Sequence, residues 1–268
     1  MDDERRSLDA GDAADLVMID RDGPDDAEVR AFTASMPASY RAMFDADAIE
    51  AHAAIVARRG GRTTHLEVWK ELPERVVALC VVADDRPGLL SRISAALVAH
   101  DMDVVAAQAY GRGRSRTARE AVDLLWIRRF PSANGTHAPI RGRDIERIRE
   151  SLDALVRGRA TFDGAVKFAQ AVRASRETTR VRFDTDADDG CTVLTVEAVD
   201  RPGLLLLITR TLFRERVQIV GSHVTTRDGR AVDRFRLTEL DGAPLRKARL
   251  LGLQTAVLAA IEEAGGSS

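Results

Sequence analysis

The six residues DRPGLL stand at 85–90 and again at 200–205. An internal repeat must be tested before any other fold reading, and an offset of 115 residues aligns far more than this hexapeptide. Thr63 and Thr64 fall on Thr178 and Thr179, Leu66 and Val68 on Val181 and Phe183, Leu79 on Leu194, Val81 on Val196 and Ala83 on Ala198. Further on, Leu97 falls on Leu212, and Val104 and Val105 on Ile219 and Val220. The chain holds two copies of one supersecondary unit.

Each copy has the same internal order. RVVALCVVADD (75–85) and CTVLTVEAVD (191–200) are β-branched runs of strand length that end at a turn signal. Pro and Gly then open a helix, on which Leu89, Leu90, Ile93 and Leu97 recur at helical spacing. DMDVVAAQAY (101–110) and AVDLLWIRRF (121–130) read as two strands, and 143–158 as a second amphipathic helix. The second copy repeats this with VQIVGSHVTT, the tight turn RDGR, AVDRFRLTEL and a helix from about Pro244 to Ala264. A four-stranded sheet needs one strand more, and TTHLEVW (63–69) and TTRVRFD (178–184) are placed to fold back as hairpin strands on 76–83 and 191–199. The expected fold is therefore α+β: two ferredoxin-like units, each βαββα with a preceding edge strand, with antiparallel sheets carrying helices on one face. The expected divisions are an acidic disordered tail at 1–26, a helical lead-in at 27–60, and units at 63–176 and 178–264. In the lead-in, Tyr40, Met43, Phe44, Ile49 and Ile55 form an apolar face.

Composition narrows the function. With 268 residues, 45% of them hydrophobic, and a net charge of -2, nothing points to a nucleic-acid partner at whole-chain level. No apolar run reaches the length of a membrane span and the acidic N-terminus is unlike a secretory signal, so a cytoplasmic protein is expected. Lys occurs only at 70, 167 and 247, so nearly all positive charge is Arg. Cys80 and Cys191 sit in apolar runs without CxxC spacing and read as small hydrophobes. The basic loop GRGRSRTAR (111–119) lacks interleaved aromatics and reads as a solvated hairpin.

A strand ending in an acid, then Arg-Pro-Gly-Leu-Leu opening a helix, then two strands and a helix, resembles the ACT domain, a ligand-binding regulatory module. Residues 192–245, with the segment DGRAVDRFRLT, resemble the last ACT domain of the [protein-PII] uridylyltransferase/uridylyl-removing enzymes. MPASYRAMFDADAIEAHAAIV (36–56) is similar to the helical stretch that precedes their tandem ACT pair. The resemblance runs from about residue 30 to the end. The nucleotidyltransferase and HD phosphohydrolase domains of those enzymes do not fit the remaining residues, since a catalytic domain needs on the order of 100. A non-catalytic chain is thus expected, with no catalytic residue, no metal and no cofactor. His100-Asp101 spells an HD dipeptide, but it ends the first helix of its unit, and the aligned residues are Glu215 and Arg216.

The turn between strand and helix is where a ligand has a physical reason to sit. Free N–H groups at a helix start favour a carboxylate by roughly 0.3 to 1 kcal/mol. Gly88 and Gly203 let a ligand approach the backbone, and Asp85 and Asp200 can accept from an ammonium group. Asp85, Arg86, Pro87, Gly88 and Leu89 with Gln108 form one candidate site; Asp200, Arg201, Pro202, Gly203 and Leu204 with Ser222 and His223 form the other. The second is favoured, because Gly221, Ser222 and His223 offer small and polar groups where the first copy has Ala106, Ala107 and Gln108. The bland alternative is that both aspartates only cap their helices.

The resemblance implies an amino-acid effector at this turn, often between two units, and glutamine in the uridylyltransferases. It also implies a PII-type or enzyme partner, or a homodimer through ACT units, in nitrogen or amino-acid sensing. A diverged enzyme-family member acting with a catalytic partner, and a scaffold that binds nothing, are the alternatives. Leu206 and Leu207 replace Ser91 and Arg92, which predicts an interface between units or chains, or burial under the N-terminal helices.

Overall fold

In the computed structural model, which describes residues 23–113, 119–161, 179–186 and 191–266, the chain begins with three short helices. These are α1 (Asp26–Ser35), α2 (Ala38–Met43) and α3 (Ala46–Arg59). Local chemistry sets their limits: Asp25 and Glu28 form a reciprocal capping box on α1, the Asp45 carboxylate accepts from the Ala48 N–H on α3, and α3 stops at Gly60. The first unit follows as β1 (Thr64–Leu72), β2 (Val76–Asp84), α4 (Leu89–Val98), β3 (Met102–Gly113), β4 (Arg119–Arg129) and α5 (Gly142–Val156). The second is β5 (Arg180–Thr185), β6 (Thr192–Val199), α6 (Leu204–Arg214), β7 (Val217–Arg227), β8 (Arg230–Glu239) and α7 (Lys247–Gly266). The expectations for most of the acidic tail and for the centre of the basic loop fall on 1–22 and 114–118, outside the described residues.

Both hairpin strands are where the repeat places them. β1 pairs antiparallel with β2, Leu66 opposite Val81, and β5 pairs antiparallel with β6, Val181 opposite Val196. β2 and β6 then pair with β4 and β8, giving each unit a four-stranded antiparallel sheet. The structure goes one step further than two sheets. β3 and β7 pair antiparallel, so the order is β1-β2-β4-β3-β7-β8-β6-β5, one continuous sheet of eight strands. Gln108 lies opposite His223, its own counterpart in the repeat, so this pair marks the pseudo-twofold axis. A register shift interrupts β3 between Val104 and Ala106 and β7 between Ile219 and Gly221, the same position in both copies. In the second unit the β7–β8 turn is a two-residue Asp228-Gly229 loop with positive φ at both residues (50° and 73°), the requirement of a type I′ hairpin.

Helices α4 to α7 form a layer on one face, α4 against both α5 and α6, and α6 against α7. The core between layer and sheet includes Leu79, Ile93, Leu125, Leu194, Ile208 and Phe235, all at most 1% exposed. Burying each contributes roughly 1.5 to 3 kcal/mol. Helices α1 to α3 instead cover the opposite face of the first unit, where Phe32, Met36, Tyr40 and Ile55 pack on Cys80, Val82, Val122 and Leu124. Leu206 and Leu207 are buried in the helix layer, so they are not covered by the N-terminal helices, and Leu206 faces Ser94 and Val98 of α4. Within the predicted apolar face of the lead-in, Met43 is an exception at 51% exposed, because it is the last residue of the six-residue α2.

Two buried polar contacts fix α3. The Tyr40 hydroxyl meets His52 Nδ1 at 2.8 Å, and burial pushes the His52 imidazole down to about 4, so it is neutral near pH 7. Arg59, only 3% exposed, places one guanidinium nitrogen 2.5 Å from Glu120 at the start of β4 and the other 2.5 Å from Asp84 at the end of β2. Arg112 reaches the second Glu120 oxygen and stacks over Phe32. Removing Arg59 takes one of two guanidinium partners from buried Glu120, with Arg112 retained. Arg59→Met is therefore expected to lower the urea unfolding free energy by about 1.5 to 3 kcal/mol. Amide exchange should quicken in α1 to α3 more than in the central strands; uniform exchange across the chain would contradict this role for Arg59.

Candidate functional site

Each DRPGLL copy forms a turn of the same geometry. The Leu89 N–H donates to the Arg86 carbonyl (3.1 Å) and Gly88 sits at φ 77°, ψ 12°; the Leu204 N–H donates to the Arg201 carbonyl (3.1 Å) and Gly203 sits at φ 82°, ψ 3°. With Pro at the second position and Gly in the left-handed region at the third, this is a type II turn. Gly88 and Gly203 are the N-caps of α4 and α6, and no side chain caps either helix. The alternative in which Asp85 and Asp200 serve as caps is thus set aside. His100 Nε2 bonds Ser151 Oγ on α5 at 2.8 Å.

The β3–β7 junction brings each turn against the other unit. A cavity of about 30 Å³ is lined by Asp85, Arg86, Gly88 and Leu89 of the first turn, by Asp123 of β4, and by Thr209, Phe213, Val217 and Ile219 of the second unit. Its pseudo-symmetric mate, about 20 Å³, is lined by Asp200, Arg201, Gly203 and Leu204, by Asp233 of β8, and by Ser94, Val98, Met102 and Asp103 of the first unit. As they stand, these volumes admit about one water each. An amino acid enters only if a wall moves. In the first cavity that wall is Phe213, 40% exposed, whose ring lies so close over Gly88 that a Cβ there would stand 2.5 Å from it.

Of the residues expected from sequence, the two turns line their cavities except for Pro87 and Pro202. Gln108, Ser222 and His223 do not join them. Gln108 and His223 face each other across the pseudo-twofold axis, Gln108 accepts from the Tyr110 hydroxyl, and Ser222 and His223 line a separate groove with Arg234 and Arg236. In their place the structure contributes Asp123 and Asp233, and across the junction Gln218 and Asp103. A signal for the first two was present in the sequence, because AVD recurs at 121–123 and 231–233. The offset there is 110 rather than 115, because the β7–β8 hairpin is shorter than β3–β4, and the match disappears in an ungapped alignment.

Both sites hold buried carboxyl groups, and Asp233 Oδ1 of the second has no hydrogen-bond partner among the described residues. Gln218 Nε2 donates to Asp85 Oδ1 across the junction at 3.1 Å, and Arg119 lies 3.5 Å from the same carboxylate. The Thr226 hydroxyl donates to Asp200 at 2.9 Å, and Arg128 lies 3.7 Å from Asp103. Burial raises Asp85 and Asp200 above the usual carboxylate range. Burial and then the neighbouring Asp200 push Asp103 up to about 6 and Asp233 up to about 8; burial and then Asp85 push Asp123 up to about 8. Such a proton reservoir fixes the sign of a pH dependence. The folded value of Asp233 lies above its unfolded 3.8, so its contribution to stability is complete below pH 3.8 and is lost as pH rises through about 8. The Asp233→Asn protein, which cannot titrate there, should gain on wild type across that window by up to about 1.4 kcal/mol per pH unit. Parallel urea midpoints for the two proteins from pH 4 to 8 would show that Asp233 titrates normally.

Fold and turn geometry together define a tandem pair of ACT units joined edge to edge. The chain's homologues are bifunctional uridylyltransferase/uridylyl-removing enzymes. It is 31% identical over 221 residues to that of Gluconobacter oxydans, a match taking in 79% of this chain and 23% of the relative. The Phenylobacterium zucineum enzyme is 28% identical over 235 residues (86% of this chain, 24% of the relative), and the Rhodospirillum rubrum enzyme 28% over 234 (84% and 24%). The chain thus spans about a quarter of the length of the curated relatives it matches. No family model matches. Aspartate kinase from Synechocystis superposes on 70% of this chain and 27% of its own, with a TM-score of 0.38 and 12% identity. No helix among the described residues is long and apolar enough to cross a membrane.

Proposed function

We propose that this chain is a non-catalytic regulatory module that binds a small α-amino acid at the junction of its two ACT units, glutamine being the first candidate. What carries the reading is the conjunction found at each turn: a helix start with no side-chain cap, a glycine in the left-handed region, and a half-buried aspartate, all facing a cavity roofed by the other unit. The helix start suits the ligand carboxylate and the aspartate suits its ammonium group. Entry of the ligand requires the junction to open and reclose, so occupancy biases one packing of the two units over another, a population shift.

The share of the relatives that is matched, about a quarter, favours a second reading in which the module works beside a catalytic partner that acts on a PII-type protein in the cytoplasm. The two readings are compatible in their ligand and differ in their output. A homodimer through ACT units would use other surfaces, because β3 and β7 already pair within the chain.

Thermal-shift and calorimetric titration of the 268-residue chain against the twenty amino acids provide the test. At least one should stabilise the fold, by about 2.7 kcal/mol when present at a hundred times its Kd. Asp85→Asn and Asp200→Asn should each weaken binding at its own site. Silence across all twenty overturns the reading, and capture of a PII-type protein by the chain would distinguish the second form from the first.

A further inference from the structure

We propose that the two seats take different ligands: the first a neutral α-amino acid, the second an α-amino acid that carries an additional cationic group. This inference rests on the reading of the turns as amino-acid seats and adds a selectivity that the repeat alone does not contain.

The residue that crosses the junction differs between the seats. Offset by 115, Gln218 and Asp103 are counterparts. Gln218 reaches the first seat as a neutral donor and gives its N–H to Asp85. Asp103, 5% exposed, reaches the second seat as another carboxylate and has no proton to share with Asp200 when both are ionised. Among the described residues, the charged groups around the first seat are Asp84, Asp85 and Asp123 against Arg86 and Arg119, with Arg92 at its rim. Around the second they are Asp103, Asp200 and Asp233 against Arg128 and Arg201, with His137 farther off. The Arg201 guanidinium is committed to the Ile261 carbonyl on α7. The difference that separates the seats is the junction residue itself: a carboxylate at 103 stands where the first seat has the neutral amide of Gln218.

Two independent observations point the same way. Asp233 lines the second cavity, is 1% exposed, and its Oδ1 has no hydrogen-bond partner among the described residues, so a buried carboxyl oxygen there is open to a ligand. At the rim of the first seat, Arg92 stacks on the Phe213 ring at 5.2 Å and donates to the Pro87 carbonyl at 2.9 Å. A cation entering there meets a guanidinium. The counterparts of Arg92 and Phe213 at the second seat are Leu207 and Val98, both uncharged. A metal ion does not fit the cluster, because among the described residues no three His, Cys, Asp or Glu side chains converge as a metal site requires. An organic cation, long enough to place one ammonium at Asp200 and another between Asp103 and Asp233, does.

Calorimetry of the full chain with L-lysine as the cationic probe and L-glutamine as the neutral one tests the assignment. Lysine should still bind the glutamine-saturated chain, one equivalent in addition to the glutamine. Asp103→Gln should weaken lysine on the order of tenfold or more and leave glutamine unaffected. The reciprocal Gln218→Asp should strengthen lysine, and carries the test alone if the first variant does not fold. Glutamine displacing lysine one for one, lysine failing where glutamine binds, or both variants leaving the lysine affinity unchanged would overturn the inference with the amino-acid reading intact. If none of the twenty amino acids binds, the reading and the inference fall together.

Discussion

The structure turns on five residue pairs. Ala106 to Tyr110 of β3 run antiparallel to Gly221 to Thr225 of β7, and that short ladder converts two four-stranded sheets into one of eight. It also removes two exposed strand edges that would otherwise invite pairing between chains. With the sheets joined, α4 must lie against α6, and the turn of each unit must lie against the first residues of β3 or β7 of the other. Neither seat exists in a single unit. The cavity walls Val217 and Ile219 on one side, and Met102 and Asp103 on the other, are supplied across the ladder.

The junction is held under electrostatic load. Asp103, Asp123 and Asp233 are at most 5% exposed and each is displaced upward by burial and by a neighbouring aspartate. Burying carboxyl groups costs stability, and Asp233, whose Oδ1 has no hydrogen-bond partner among the described residues, carries that cost most plainly. The same end of the first unit is tied to the N-terminal helices: Asp84, next to Asp85, is gripped by Arg59 of α3, and Glu120, next to the end of the basic hairpin, by Arg59 and Arg112. The first turn and α3 are thus tied together through an ion pair one residue away from Asp85.

The fold was legible because the chain states it twice. Hydrophobic pattern and turn signals assign the strands and helices, each supported by its second copy, and the strand that a four-stranded sheet still requires sets β1 and β5 beside β2 and β6. The place of the turns was legible for the same reason, but not their form: the sequence reads Pro and Gly as opening the helix, whereas they make a type II turn that ends at the helix N-cap. What the repeat could not disclose is contact between the copies. Asp103 and Gln218 look like ordinary polar residues at the start of a strand, and only the β3–β7 ladder brings them to the opposite turn. Ser222 and His223 were attractive from sequence through their closeness to the turn along the chain. The pleat and the bulge at Ile219/Gly221 send them elsewhere, to the axis and to the groove with Arg234 and Arg236.

Duplication within one chain also explains how the seats came to differ. Two identical units pairing about a true twofold axis must present the same residue to both turns, so any change made at one seat appears at the other. Joining the units in one chain raises their effective concentration and breaks that identity. Position 103 can then carry a carboxylate while 218 carries an amide, and Phe213 can close over Gly88 while Val98 stands in its place at the other seat. The backbone geometry has stayed nearly symmetric, with matching turns, matching bulges and Gln108 facing His223 on the axis. The side chains that reach across the junction, Asp103 and Gln218 among them, differ between the copies without disturbing the sheet that holds them.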